Sequence, residues 1–213
     1  YQKDTSTDLY MIEVGVEYGS ATTTKLTLEN VTVDAEEQDI RCIRVCPESQ
    51  LTLENGATVC NGRAVHRRDD HSGNTGTNDW GGGIVVDSTA KLIMNDGSAV
   101  TDCSAEQGGG IYLSGEMELN GGTISGNTAG YGGAISVYAA DSYWNGNASV
   151  KISGDAEITQ NTGRNGGGAI ALWTSKADDY TSTVEMSGGT ISENKTFSKG
   201  GGVFLYGKGD SFY

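Results

Sequence analysis

The chain has 213 residues, of which 33 are glycine, one is proline and 8% are aromatic, and its formal net charge at pH 7 is −14. Glycine at this level without a strict period of three excludes a collagen-like chain. The acidic balance argues against partners such as nucleic acid or anionic lipid, which need clustered Lys and Arg. No run of 18 apolar residues occurs, so the sequence predicts no membrane insertion.

The N-terminal part contains two successive sets of three short apolar stretches. Within each stretch the apolar residues alternate with polar ones, which is typical of a strand with one buried face. The first set covers 12–14, 26–28 and 32–33, and the second covers 41–45, 51–53 and 58–59.

From residue 81 onward the repeat becomes regular. A Gly-Gly-(Gly/Ala)-(Ile/Val) element ends at Ile84, Ile111, Ile135, Ile170 and Val203. A second alternating stretch and then a third one, after a Gly-containing turn, follow each of the first four copies. Each period therefore predicts three short strands separated by turns.

The spacing of the repeat selects the fold. The shortest period is 24 residues, from Ile111 to Ile135, which leaves no room for a four-stranded propeller blade. No segment shows the 3.6-residue period of an amphipathic helix, which argues against an α/β solenoid. We therefore predict an all-β protein, a right-handed parallel β-helix of about six coils with three short strands per coil. Residues 1–213 are expected to form a single domain, a fragment of a larger surface protein.

An asparagine follows the third stretch at a fixed distance in three coils, at Asn127, Asn161 and Asn194. Asparagines stacked at one corner can bond to each other's amides and satisfy turn backbone. We predict a structural role for all three. The glycine pairs are expected to supply positive φ angles and to allow close stacking of the coils.

The combination of Gly-Gly-Ala-Ile, at 132–135 and 167–170, with a following x-x-x-Asn resembles the repeats of chlamydial polymorphic outer-membrane proteins and of other large bacterial surface proteins. In that family the second motif begins with Phe, where this chain has Ile124, Ile158 and Ile191. The resemblance covers about residues 81–204. It implies a bacterial, secreted or cell-surface protein that acts in adhesion or as a stalk, and it implies no catalytic residues.

Aromatic residues concentrate at the outward positions of the first strand and in the segments inserted after it. Rings on one flat face bind sugar rings or protein ligands, but they also serve to cover a sheet under loops, and both interpretations stay open. The candidate ligand-binding residues are Tyr112, Tyr138, Trp144, Trp173, Tyr180, Phe204 and Tyr206.

The corner at 62–80 holds the only catalytic candidates, Asp69, Asp70 and His71. An Asp-Asp-His group can supply an acid, a base and a charge stabiliser. The group is superficially similar to the acidic pairs of polygalacturonases, but the separated Asn-x-Asp, Gly-His-Gly and Arg-x-Lys motifs of those enzymes are missing. An exposed polar loop is the alternative. We predict no cofactor and no metal site, with weak calcium binding by acidic loops as the remaining alternative.

The four cysteines, Cys42, Cys46, Cys60 and Cys103, allow three full disulfide pairings. Stacking of successive coils would bring Cys60 close to Cys103, so a bridge between these two is the hypothesis from sequence.

The leading functional hypothesis is a non-catalytic β-helix domain that binds a glycan or a host surface protein in adhesion, or that acts as a stalk. The alternative is a carbohydrate-active enzyme of the polysaccharide lyase or glycoside hydrolase type.

Overall fold

A computed structural model describes residues 10–16, 23–64, 79–139, 146–174, 180–207 and 210–213. These residues form short parallel strands, β1 to β24, arranged in four sheets. None of the described residues belongs to a helix long and apolar enough to cross a membrane.

Each sheet contains strands that recur once per turn of the chain. The first sheet consists of β1 (Tyr10–Val14), β4 (Arg41–Val45), β7 (Ile84–Val86), β11 (Ile111–Leu113), β15 (Ile135–Ala139), β19 (Ile170–Thr174) and β23 (Val203–Leu205). The second consists of β2 (Lys25–Leu28), β5 (Gln50–Leu53), β8 (Lys91–Met94), β12 (Glu116–Leu119), β16 (Ala148–Ile152), β20 (Ser182–Met186) and β24 (Ser211–Phe212). The third consists of β3 (Thr32–Asp34), β6 (Thr58–Cys60), β9 (Ala99–Thr101), β13 (Thr123–Ser125), β17 (Glu157–Thr159) and β21 (Thr190–Ser192). The fourth consists of β10 (Ser104–Gln107), β14 (Thr128–Tyr131), β18 (Thr162–Gly166) and β22 (Lys195–Thr196).

The chain visits the sheets in a fixed order, so the strands group into stacked coils. Coils 1 to 6 begin at β1, β4, β7, β11, β15 and β19, and β23 with β24 starts a seventh. The predicted parallel β-helix is confirmed, with six coils that reach the third sheet. The prediction of three strands per coil is incomplete, because coils 3 to 6 each carry a fourth short strand after the corner that follows the third sheet.

The core is the interior of the coil stack, filled by columns of identical or similar aliphatic residues. Strand pairing places Ile111 beside Ile84 and Ile135, and Ile170 beside Ile135. All four side chains are fully buried. Alternation within each strand therefore directs every second residue inward. Because the register is kept from coil to coil in this sheet, residues of the same type stack on each other.

The two glycines of each Gly-Gly element have different reasons to be glycine. The first has a φ near +60° in every copy, for example +63° at Gly132 and +62° at Gly167, a conformation that L-residues with a side chain rarely adopt. In the first four copies the second lies against neighbouring backbone; a Cβ on Gly133, for example, would come within 2.3 Å of the carbonyl oxygen of Gly168. In the last copy the nearest atom to a Cβ on Gly201 lies 3.8 Å away.

The three asparagines form a ladder inside the corner between the third and fourth sheets. Asn127 and Asn161 are fully buried. The Oδ1 atom of Asn161 accepts hydrogen bonds from the backbone N–H and the Nδ2 of Asn127, both at 3.0 Å. Asn194 accepts the equivalent pair from Asn161 at 3.0 and 2.9 Å. The hydrogen bonds that the spacing predicted are present.

The cysteines are arranged differently from the hypothesis. All four are free thiols. Cys60 lies on the outer side of the third sheet, half-buried and in register with Asp34, whereas Cys103 is buried inside the corner. The pairing of Cys60 with Cys103 is therefore wrong for this structure, because the two side chains lie on opposite sides of the coil wall.

Candidate ligand-binding surface

The outer face of the first sheet carries most of the predicted ligand-binding residues. Strand pairing places Tyr138 beside Trp173, and the backbone N–H of Tyr206 bonds to the carbonyl of Leu172, which continues that column. A parallel column contains Tyr112 and, three coils later, Phe204. The alternation of each strand thus aligns rings from different coils on one side of the sheet.

The N-terminal half of this aromatic face is closed. The Tyr112 ring stacks on Trp80, with centroids 4.9 Å apart and planes 11° apart, and Tyr138 lies 6.2 Å away. Only 4% of Tyr112 is exposed, and burial raises the pKa of its phenol well above the ordinary value. Its ring is occupied by protein contacts, which leaves Tyr112 as support for the face rather than as a contact surface.

The C-terminal half is open, and we call its four rings, Tyr131, Trp173, Phe204 and Tyr206, the aromatic platform. Trp173 lies 5.0 Å from Tyr131 in an edge-on arrangement and 4.3 Å from Tyr206. Phe204 lies 6.4 Å from Tyr131 and 5.9 Å from Tyr206. The rings form one contiguous cluster, and 54% of Tyr206 is exposed.

Two residues outside the rings hold the platform in place. A Cβ on Gly166 would lie 2.7 Å from Cδ1 of Phe204, so only glycine lets this ring rest on β18. The Asp210 carboxylate accepts hydrogen bonds from Thr174 Oγ1 and from the backbone N–H groups of Gly207 and Tyr206, the last at 3.1 Å. These bonds fix the turn that carries Tyr206.

Two polar atoms on this face are buried without a hydrogen-bond partner among the described residues. They are Nε1 of Trp173 and Oγ of Ser136. An unpaired buried donor is costly. These atoms mark the only such positions in the described part of the chain.

The N-terminal end of the same face carries charges, and the Arg44 guanidinium lies 5.8 Å from the centre of the Tyr10 ring. Asp87 is 3% exposed and accepts a hydrogen bond from Arg44 Nε at 3.0 Å. Arg44 also donates to Oε1 of Glu13 at 3.4 Å. Both carboxylates are thus paired with the same guanidinium, Asp87 as a buried partner and Glu13 as a half-exposed one.

Of the remaining sequence candidates, the structure describes only Tyr180. Tyr180 is partly buried and packs against the hydrophobic core. Trp144 lies outside the described residues, as do Asp69, Asp70 and His71.

A cleft of about 480 Å³ lies beside the fourth sheet. Its charged lining residues are Glu37, Arg63, Asp79, Asp102, Glu106 and Arg164. Over the described ranges, no three His, Cys, Asp or Glu side chains are grouped to hold a metal ion. The cleft therefore offers dispersed charges of both signs and no assembled calcium site.

Two aromatic residues that the structure places at this face, Tyr131 of the platform and Trp80 over Tyr112, were not among the sequence candidates. Tyr131 belongs to β14, a strand that the sequence did not predict, and no signal in its neighbours Ala129 and Gly130 marks a strand. Trp80 was recognised only as part of a polar corner. The isolated bridge between Trp80 and Gln107 places its ring over Tyr112.

No protein-family model matches the chain, and no curated protein or solved structure matches it either.

Proposed function

We propose that this chain is a non-catalytic glycan-binding β-helix of a secreted or cell-surface bacterial protein, with the aromatic platform as its contact surface. The observation that carries the proposal is the contiguous cluster of four rings, three at the C-terminal half of the first sheet and Tyr131 on the fourth sheet, with Tyr206 54% exposed. A contiguous cluster of rings that includes an exposed tyrosine favours an interaction site over chance exposure.

The chemistry of the platform suits a sugar chain. Sugar rings present C–H faces that pack on aromatic rings and hydroxyls that exchange hydrogen bonds at the edge. The unpaired N–H of Trp173 lies within this cluster, and a ligand hydroxyl that reached it would remove the cost of leaving it unpaired.

The carboxylates near the rings support binding rather than turnover. Both oxygens of Asp210 are engaged by Thr174 and by the turn backbone, and Asp87 is held by Arg44. A glycosidase needs two carboxyl groups free to exchange protons or attack a sugar. The enzyme alternative would therefore require groups other than these two.

A surface location fits the same proposal. A net charge of −14 keeps a chain soluble and disfavours nucleic acid, and the resemblance to bacterial surface repeats points in the same direction. Adhesion through a glycan ligand is the role we assign, with a stalk role as the alternative if no ligand binds.

A glycan array combined with a reducing-sugar assay tests the proposal. We expect binding without release of reducing ends, and we expect Tyr206→Ala to weaken binding at least about tenfold. Phe197→Ala is the matched control, because Phe197 is 85% exposed and has no ring contact among the described platform residues. Release of reducing ends would favour the enzyme, and binding that Tyr206→Ala leaves unchanged would remove the platform from the proposal.

A further inference from the structure

The interior corner of coils 2 and 3 has a composition found nowhere else in the described stack. In coils 4 to 6 the corner position is Asn127, Asn161 or Asn194. In coil 3 the same position is Cys103, whose backbone N–H bonds to Oδ1 of Asn127 at 2.9 Å. In coil 2 it is Gly62, whose carbonyl accepts the N–H of Ser104, the residue after Cys103.

The residue that faces this corner position, near the start of the first strand of each coil, also differs between coils 2 and 3. Pairing of Ile43 with Ile84 places Cys42 in register with Gly83, the third residue of the Gly-Gly-Gly-Ile element in coil 3. Cys42 and Gly62 thus belong to one coil, and Gly83 and Cys103 to the next. The two cysteines occupy one diagonal of a four-residue square, and the two glycines occupy the other.

Because the two glycines have no side chain, the sulfur atoms of the two cysteines occupy the interior of this square. A Cβ on Gly62 would lie 2.7 Å from the Sγ of Cys42, and a Cβ on Gly83 would lie 3.0 Å from the Sγ of Cys103. Each sulfur therefore fills the space in which the neighbouring glycine has no side chain. This brings the two sulfurs towards each other across the coil boundary.

The surroundings of both thiols are closed to water. Cys42 is fully buried and Cys103 is 1% exposed. Cys42 Sγ donates to the carbonyl of Cys60 at 3.3 Å, and Cys103 Sγ donates to that of Thr101 at 3.2 Å.

The two thiols also shift each other's pKa. The neighbouring Cys103 side chain lowers the pKa of Cys42, and the Cys42 side chain, together with burial, raises the pKa of Cys103. By contrast, burial raises the pKa of Cys46 to about 12 and that of Cys60 to about 11.

We propose that Cys42 and Cys103 are a disulfide-forming pair that links coils 2 and 3 covalently when the chain folds in the presence of a small-molecule disulfide such as oxidised glutathione. The Cys42 thiolate attacks one sulfur of the donor, which forms a mixed disulfide and releases one donor thiolate. Cys103, after losing its proton to solvent, attacks the sulfur of Cys42 and displaces the second donor thiolate. Two protein thiols are oxidised, and one donor disulfide is reduced to two thiols.

The link is expected to form during folding and then to persist. Both sulfurs lose contact with solvent once coils 2 and 3 close, which protects the disulfide from external thiols. A crosslink that joins residues this far apart in sequence restricts the unfolded chain strongly. We expect it to raise the thermal midpoint by roughly 5–15 °C.

Peptide mapping distinguishes this pairing from the alternatives, because trypsin places Cys42 and Cys103 on two different peptides and Cys46 and Cys60 on a third. Cleavage after Arg41, Arg44 and Arg63 gives one peptide, 42–44, that carries Cys42 alone and another, 45–63, that carries both Cys46 and Cys60. Cys103 lies in 92–151. The full chain is refolded from denaturant with oxidised or with reduced glutathione, free thiols are alkylated, and the unreduced digest is analysed by mass spectrometry.

We expect 42–44 linked to 92–151 after oxidative refolding, and not after reductive refolding. The Cys46→Ser/Cys60→Ser double variant serves as the matched control and should keep both the link and the gain in thermal midpoint. Alkylation of all four cysteines after oxidative refolding would overturn the proposal, and so would a link between 45–63 and 92–151. Should refolding fail, the same mapping on chain produced in an oxidising compartment gives the same two outcomes.

Discussion

Coils 2 and 3 and coils 5 and 6 close the same interior corner by different means. In the later coils, Asn161 and Asn194 connect successive turns through side-chain and backbone hydrogen bonds. In the earlier coils, Gly62 and Cys103 stand at those positions and sulfur fills the space. The coil geometry requires that the corner be filled, but either amide or thiol side chains can meet that requirement.

The outer face of the first sheet shows a parallel contrast. In coil 4, Tyr112 is covered by Trp80 and is 4% exposed. In coil 7, Tyr206 is 54% exposed although it lies on the same side of the same sheet. On the same side of this sheet, Tyr112 is thus a buried support and Tyr206 an exposed contact residue. Residues outside the repeat, such as Trp80, determine which tyrosine is covered.

The largest effect on stability is expected at the covered end of the face. Tyr112→Ala should reduce the free energy of unfolding by about 4 kcal/mol, because it removes a buried ring and leaves a cavity beneath Trp80. Urea unfolding monitored by Trp fluorescence measures the change. A loss below about 1 kcal/mol would show that Tyr112 is not a support, and the contrast with Tyr206 would disappear.

The next effect tests the asparagine corner. Asn161→Leu should cost about 3 kcal/mol, because the buried N–H of Asn127 and the carbonyl of Ile124 both lose their partner. The control is Asn120→Leu, since the hydrogen bond from Asn120 to Asn95 is exposed. Equal costs in urea unfolding for the two variants would contradict the role of the buried ladder.

A smaller effect is expected where β18 supports the platform. Gly166→Ala should cost about 1–2 kcal/mol and displace the Phe204 ring, and glycan affinity should fall with it. Gly201→Ala is the matched control, because the nearest atom to its added Cβ lies 3.8 Å away. Calorimetric titration with the glycan identified on the array compares the two, and unchanged affinity for Gly166→Ala would separate Phe204 from the ligand.

The smallest effect on stability is expected at the exposed end. Tyr206→Ala should change the free energy of unfolding by no more than about 0.5 kcal/mol, because much of the side chain already contacts solvent. Urea unfolding of the Tyr206→Ala and Tyr112→Ala variants under the same conditions compares the contributions of the two tyrosines to the free energy of unfolding. A cost similar to that of Tyr112→Ala would mean that Tyr206 also covers the sheet.

The sequence predicted the first three sheets because their strands alternate around a fixed glycine element. It missed the fourth, because Ser104–Gln107 and Thr128–Tyr131 are short, polar or glycine-containing and show no alternation. Tyr131 was missed with that sheet.

Exposure within the aromatic face could not be predicted from the repeat. Tyr112 and Phe204 occupy the same column, but the covering ring, Trp80, comes from a corner outside the strands. The cysteine pairing failed for a similar reason. The alternation in β6 sends Val59 inward and Cys60 outward, whereas Cys103 lies after its strand and turns into the corner.

The direction of the interstrand hydrogen bonds has a mechanical consequence. These bonds join one coil to the next, so tension applied along the stack loads the coil boundaries one after another, and the weakest boundary opens first. The last boundary, between coils 6 and 7, is poor in such bonds, because it consists of the short pairings of β19 with β23 and of β20 with β24. Under load the stack is therefore expected to peel from the coils that carry Phe204 and Tyr206, while the coils that contain the two buried thiols stay folded.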